Sequence, residues 1–498
     1  MSYSGEFFTF LEGGAREAAE DVDDIADLWD YQMACIFPLA RTSHHSALLP
    51  VPVWRAEEQM KYLRATGSGN GASRSAEAVT AQTPVMLYGH FDNQSRYTTP
   101  AREEMRLWLA GMAAQGGSPW DCLFVGVPPS RWWDRRHQDV QEDSFAFLAD
   151  HEADFAGVES VAEVGVVHSQ RTQDRFASGQ AAQDAYITHF RGWELALFAQ
   201  HLQWDVVPPS QLRREVLERY RTIVLPNVAC LSDGEAEVLR GYVERGGTLL
   251  ATYETGCNNA DGSRRSTGAL DDVLGVRDLG LPPRGPLPHA YTRLRTRDGL
   301  TAGFEETEVI TNEGYVREVG VGEGAQVHAT LVPEIVPQPP DLSYPTLWEN
   351  EGTLLVSNAY GRGRAVYFAN QTDRLNVTSG HPDHQRLLEN ALVWALSDDP
   401  PIVMVEAGSP DDATEVHATL LRQPSSGNLY VHLVNYSGAR GRPVRAPHAL
   451  GPLTVTVQLA GFSPGRAEPL VSAGNAALNQ SGGRTTITVP RLELYEVV

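Results

Sequence analysis

The sequence predicts a parallel α/β protein that closes with an all-β domain. Residues 220–256 read as strand, helix and strand in one short run, which implies a parallel, doubly wound sheet. A second strand–helix rhythm begins near residue 84. From residue 402 onward, helical periodicity gives way to short strands divided by Gly, Pro, Ser and Asn turns, the pattern of a β-sandwich.

From the N-terminus, residues 1–66 read as mostly helical. Ile25, Leu28, Trp29, Met33, Ile36 and Phe37 recur at helical spacing over residues 15–40, and a second helix covers 55–65. Residues 67–81 (GSGNGASRSAEAVTA) read as a flexible connection. Residues 84–89 (PVMLYG) form a strand, 102–115 a helix closed by Gly116 and Gly117, 121–127 (DCLFVGV) a strand and 140–155 a helix. Residues 163–168 open the next sheet, followed by a helix over 185–201 and a strand over 204–207. The run 221–226 stops at Pro226, Ser232 caps a helix carrying Ala236, Leu239, Tyr242 and Val243 on one face, and Gly246 and Gly247 end it before the strand 248–253. Prolines at 283–288 and 333–345 bracket short alternating strands. Residues 363–370 form a strand that returns to the sheet, 382–396 a closing helix, and no helix is expected after residue 402.

Composition narrows the function. A net charge of −23 over 498 residues argues against nucleic acid or an anionic membrane surface as the main partner. No apolar run approaches the roughly 20 residues of a membrane span, and the acidic N-terminal stretch does not read as a secretory signal. Cys35, Cys122, Cys230 and Cys257 are widely spaced and read as buried free thiols of a cytoplasmic protein. Adjacent His44 and His45 point apart and do not chelate as an i, i+4 pair does, so no metal site is expected. Glu57 and Glu58, and the run His381–His384, read as helix N-terminal residues that complement the dipole.

The run 220–256 resembles the middle, trimerisation domain of family 42 β-galactosidases, a flavodoxin-like relative of glutamine amidotransferases. The order of elements is similar too, and strands at 415–423 and 429–435 (LYVHLVN) add to the likeness. The resemblance implies three domains: 1–157, a partial (β/α) barrel that carries the ligand site; 158–399, a flavodoxin-like doubly wound parallel sheet used for trimerisation; and 400–498, an all-β sandwich. It implies a homo-oligomer, suspected to be a trimer, that hydrolyses a terminal β-galactoside or related carbohydrate with retention and needs no cofactor. The departure lies in the barrel. A complete one needs about 200 residues or more, whereas 157 precede the middle domain, with 84–89 resembling the seventh strand and 121–127 the eighth. A short form, a barrel half supplied by a partner chain, and a degenerate half-barrel all remain open.

Retaining glycosidases need two carboxyl groups, one to protonate the leaving oxygen and one to attack the anomeric carbon. After the candidate seventh strand, Asp92 is the only carboxylate, set among His90, Asn93, Gln94, Arg96 and Tyr97, polar groups suited to sugar hydroxyls. The acid/base has no assigned residue. After the candidate eighth strand, Trp132 or Trp133 offers a platform for a pyranose face. Six of the ten tryptophans precede residue 150, which favours a ligand site in this segment. Asp134 is a candidate second carboxylate, or with Arg135 and Arg136 a surface ion-pair cluster. An amidotransferase nucleophile would need a Cys on a tight elbow, and Cys257 falls beyond the strand with no G-x-C-x-G around it. No glycine-bearing phosphate loop follows residue 168, so no flavin is expected. The alternative to an enzyme is a non-catalytic carbohydrate-binding or assembly protein with the same domains.

Overall fold

The computed structural model describes residues 34–36, 52–67, 84–88, 97–122, 134–176, 180–335, 338–339, 341–344, 352–396, 399–472 and 476–498. They form two compact units. A terminal unit joins Met1–Ala162, Phe198–Asp205 and Pro401–Val498, and a middle unit joins Glu163–Leu197 and Val206–Pro400.

The terminal unit opens with a three-stranded parallel sheet in the order β1 (Ala34–Ile36), β2 (Pro84–Tyr88), β3 (Ser118–Cys122). Helices α1 (Arg55–Gly67) and α2 (Arg102–Ala114) make the crossovers. Two expectations need correction. Residues 34–36 are a strand within the span read as helix, because so short an apolar run carries no period of its own. The third strand begins at Ser118 rather than 121, hidden by Pro119, which an edge strand tolerates. The helix expected over 140–155 is α3 (Gln138–Asp150) followed, after a break at His151, by the single turn Glu152–Phe155.

The rest of this unit is a sandwich of two four-stranded sheets. One runs β16 (Val403–Glu406), β19 (Leu453–Val457), β21 (Arg484–Val489), β20 (Ala477–Ser481). The other runs β22 (Tyr495–Val497), β18 (Leu429–Asn435), β17 (Val416–Arg422), β4 (Glu159–Ser160). Alternating residues such as Val403, Leu453, Val455, Leu420, Val431 and Leu433 meet in one core. A short helix, Pro410–Thr414, interrupts the expected all-strand pattern, because Ser409 caps it through the Asp412 amide and Pro410 fits the first turn.

The middle unit is built on a nine-stranded sheet. Five strands stand in the order β6 (Trp204–Val207), β5 (Val164–Val167), β7 (Thr222–Leu225), β8 (Thr248–Thr252), β15 (Gly363–Phe368). Counted along the chain this is 2-1-3-4-5, a doubly wound order. β5, β7 and β8 are buried at every residue, as strands covered on both faces must be. β14 (Thr353–Tyr360), β13 (Gln326–Val332), β10 (Ala290–Leu294) and β11 (Val309–Asn312) extend the sheet with antiparallel pairing. The predicted cap is present: Ser232 accepts from the Glu235 amide and Glu235 accepts from the Ser232 amide, closing a capping box on α4 (Asp233–Glu244). The long helix expected over 185–201 is α5 (Gln180–Ala199). It approaches the Asp373 backbone so closely that a Cβ on Gly192 would lie 1.9 Å from the Asp373 carbonyl oxygen, which reserves the position for glycine.

Candidate functional site

The predicted ligand residues follow β2 and β3 in sequence. His90, Asp92, Asn93, Arg96, Trp132 and Trp133 lie outside the described residues. Tyr97 is described, and its ring is half exposed. Asp134 is described in full. Its carboxylate accepts from the amide and hydroxyl of Thr99 at 3.1 and 3.3 Å, and from the amide, Nε and Nη2 of Arg136 at 3.1, 2.9 and 2.7 Å. It therefore joins the segment that follows the candidate loop at 89–97 to the segment that follows the paired tryptophans. The Arg136 guanidinium and the two backbone amides hold the Asp134 carboxyl far below the usual carboxylate range. An acid catalyst needs the opposite, a carboxyl kept protonated. Sequence reasoning raised the Asp134–Arg136 pair but not Thr99, which lies 35 residues away.

The carboxyl ends of the middle sheet are the other place where a doubly wound fold gathers chemistry. Tyr253 follows β8 and Asn227 follows β7, both at positive φ. Thr252 Oγ1 accepts from the Asn227 amide at 2.9 Å and donates to Asp373 Oδ2 at 2.6 Å, and Asp373 Oδ1 meets His189 Nδ1 at 2.6 Å. No sequence motif announced this buried chain; its only signal is a set of polar residues just past apolar strands. Cys257 is buried nearby, and burial pushes its thiol up to about 12. A nucleophilic thiol requires a lowered value, so the cysteine chemistry of an amidotransferase has no support here. Arg317 is fully buried and donates to Asp271 at 2.8 and 2.9 Å and to Asp278 at 2.9 Å, while Arg264 pairs with Glu254. Two guanidiniums thus stand against three carboxylates, and each carboxylate has a cationic partner. Among the described residues, no three His, Cys, Asp or Glu side chains are grouped to hold a metal ion. Among the same residues, no helix is long and apolar enough to cross a membrane.

Comparison with known proteins places these features. A family model described as the β-galactosidase trimerisation domain matches residues 162–379. The chain is 26% identical over 226 residues to β-galactosidase BbgII of Bifidobacterium bifidum, covering 44% of this chain and 30% of that protein. It is 27% identical over 333 residues to β-galactosidase BgaH of Haloferax lucentense, covering 60% of this chain and 44% of the relative. The chain thus spans less than half the length of these two curated relatives. In fold it is similar to a β-galactosidase from Bacillus circulans sp. alkalophilus, with a TM-score of 0.66 at 16% identity over 96% of this chain and 62% of that one. Residues 162–379 match the β-galactosidase trimerisation domain, and the chain is similar to family 42 β-galactosidases in sequence and in fold.

Proposed function

We propose that this protein is a glycoside hydrolase that cleaves a terminal β-galactoside, or a related glycoside, with retention. The observation that carries the reading is the match of residues 162–379 to the β-galactosidase trimerisation domain. Likeness to two β-galactosidases extends it beyond that domain. In this reading the parallel sheet β1-β2-β3 is part of a (β/α) barrel. The 2-1-3-4-5 order of the middle sheet supports a flavodoxin-like trimerisation domain. The active form is a homo-oligomer, a trimer, and the buried free thiols Cys230 and Cys257 fit a reducing cytoplasm.

Asp92, which follows β2 in sequence, attacks the anomeric carbon and forms the glycosyl-enzyme. His90, Asn93, Arg96 and Tyr97 hold the sugar hydroxyls, and Trp132 or Trp133 covers the apolar face of the ring. Asp134 serves as a fixed anion that holds Thr99 and Arg136, and it does not supply the proton. The acid/base has no residue assigned.

Hydrolysis of a nitrophenyl glycoside panel, β-galactoside first, tests the reading with the native protein and with Asp92→Asn. Turnover that is lost in the variant supports both the activity and the residue. Turnover that survives keeps the hydrolase and discards Asp92. No turnover on any glycoside favours the non-catalytic carbohydrate-binding protein.

A further inference from the structure

We propose that α1, α2 and the β17–β18 face of the sandwich form one cooperative folding unit, closed by the buried carboxylate of Glu57. The C-terminal sandwich is then the obligatory folding partner of the N-terminal helices rather than an independently folding appendage. The inference concerns stability and stands apart from the hydrolase reading.

Glu57 sits in the first turn of α1, where an acid suits the helix dipole. That position agrees with the dipole role read from the sequence, yet the side chain is fully buried. Its Oε1 accepts from the Tyr436 hydroxyl at 2.7 Å and faces His417 Nδ1 at 3.1 Å. Its Oε2 accepts from Gln115 Nε2 at 3.2 Å, and Gln115 also donates to Thr419 Oγ1 at 2.9 Å. His417 and Thr419 lie on β17, Tyr436 follows β18, and Gln115 is the C-cap of α2. One carboxylate thus collects donors from three separate elements, two of them more than 350 residues away in sequence.

A carboxylate taken out of water is tolerated only when its lone pairs are satisfied. Before the sandwich docks, Glu57 is solvated on the surface of α1. Once docked, it needs all three donors, so partial docking is worse than none. The apolar core follows the same division. Met60, Leu107, Trp108 and Met112 from α1 and α2 share one cluster with Val434, Tyr436, Val444 and Leu494 from the C-terminal segment. The His417 ring stacks on Phe198 at 3.6 Å, and Trp54 meets Phe198, His417 and Tyr436 edge-on. The buried Glu104 pairs with the partly exposed Arg442 at 2.6 Å, which fastens α2 to the loop after β18. Mid-helix Gly111 completes the fit: a Cβ there would lie 2.8 Å from the Tyr436 hydroxyl and 3.1 Å from Glu57 Cγ.

The test is native-state hydrogen exchange on the full chain, native and Gly111→Ala. The expected result is a common rise, on the order of tenfold, in the exchange of α1, α2, β17 and β18, with β5, β7 and β8 unchanged. Faster exchange confined to α1 and α2, with β17 and β18 at native rates, would overturn the proposal. Should the variant fail to fold, exchange of the native chain across a urea series decides. Opening free energies of the four elements that merge support one unit, and separate values for helices and strands refute it.

Discussion

In the middle unit the residues that pack together mostly lie near one another in sequence, whereas in the terminal unit they come from the two ends of the chain. Strands β5, β7 and β8 with helix α4 lie within Val164–Thr252 and pair there with one another, and β8 alone of the three strands reaches further along the chain, to β15 (Thr248 with Arg364). Glu57 finds Tyr436 across 379 positions. The difference teaches where each unit is vulnerable. A change in the middle unit acts on one sheet built of consecutive strand–helix units. A change in the sandwich acts on helices at the other end of the protein.

The largest expected effect falls in the middle unit. Arg317→Leu leaves Asp271 and Asp278 buried without their cation and should destabilise that unit by about 3–5 kcal/mol, read from urea unfolding. If the two units unfold separately, the terminal transition keeps its midpoint. Leu433→Ala, in the sandwich core, should cost roughly 3 kcal/mol. Its sharper outcome is that loss of structure spreads to α1 and α2 while β5, β7 and β8 hold.

Acid separates the units less. Burial lowers His168 in the middle unit and His432 in the sandwich to about 3. In the unfolded chain each titrates near 6.5, so between about 6.5 and 3 the unfolded state binds the extra proton. Stability is therefore full above pH 6.5 and falls as the pH drops, by roughly 2 kcal/mol per histidine at pH 5. Thermal melts from pH 7 to pH 5 should show the loss, and His432→Phe should flatten the slope of the terminal unit alone. The smallest effect is Ser232→Ala, which removes the cap of α4 and should cost about 1 kcal/mol in the middle unit only.

The same contrast explains what the sequence discloses. The run from Tyr220 to Gly256 is legible because its information is local: a cap at Ser232, an apolar stripe through Ala236, Leu239, Tyr242 and Val243, and glycines at 246 and 247 that end the helix. The sandwich is legible from alternation, as in Leu429–Asn435. What is not legible is pairing over distance. Nothing near Glu57 announces His417, Tyr436 and Gln115, so it reads as a dipole partner although it is a buried acceptor. Asp134 reads as an ion pair with Arg136, and only the fold brings Thr99 to it. The chain from Asn227 through Thr252 and Asp373 to His189 assembles from four elements and leaves no motif.

The proposed chemistry is tested most directly by trapping its intermediate. A 2-deoxy-2-fluoro-β-galactoside with a good leaving group lets a retaining nucleophile attack the anomeric carbon and expel that group, while the fluorine slows hydrolysis of the glycosyl-enzyme. Intact mass and peptide mapping then locate the sugar. One added glycosyl group on the peptide that contains Asp92, absent in Asp92→Asn, is the result predicted. An adduct on another carboxylate, or no adduct at all, would contradict it.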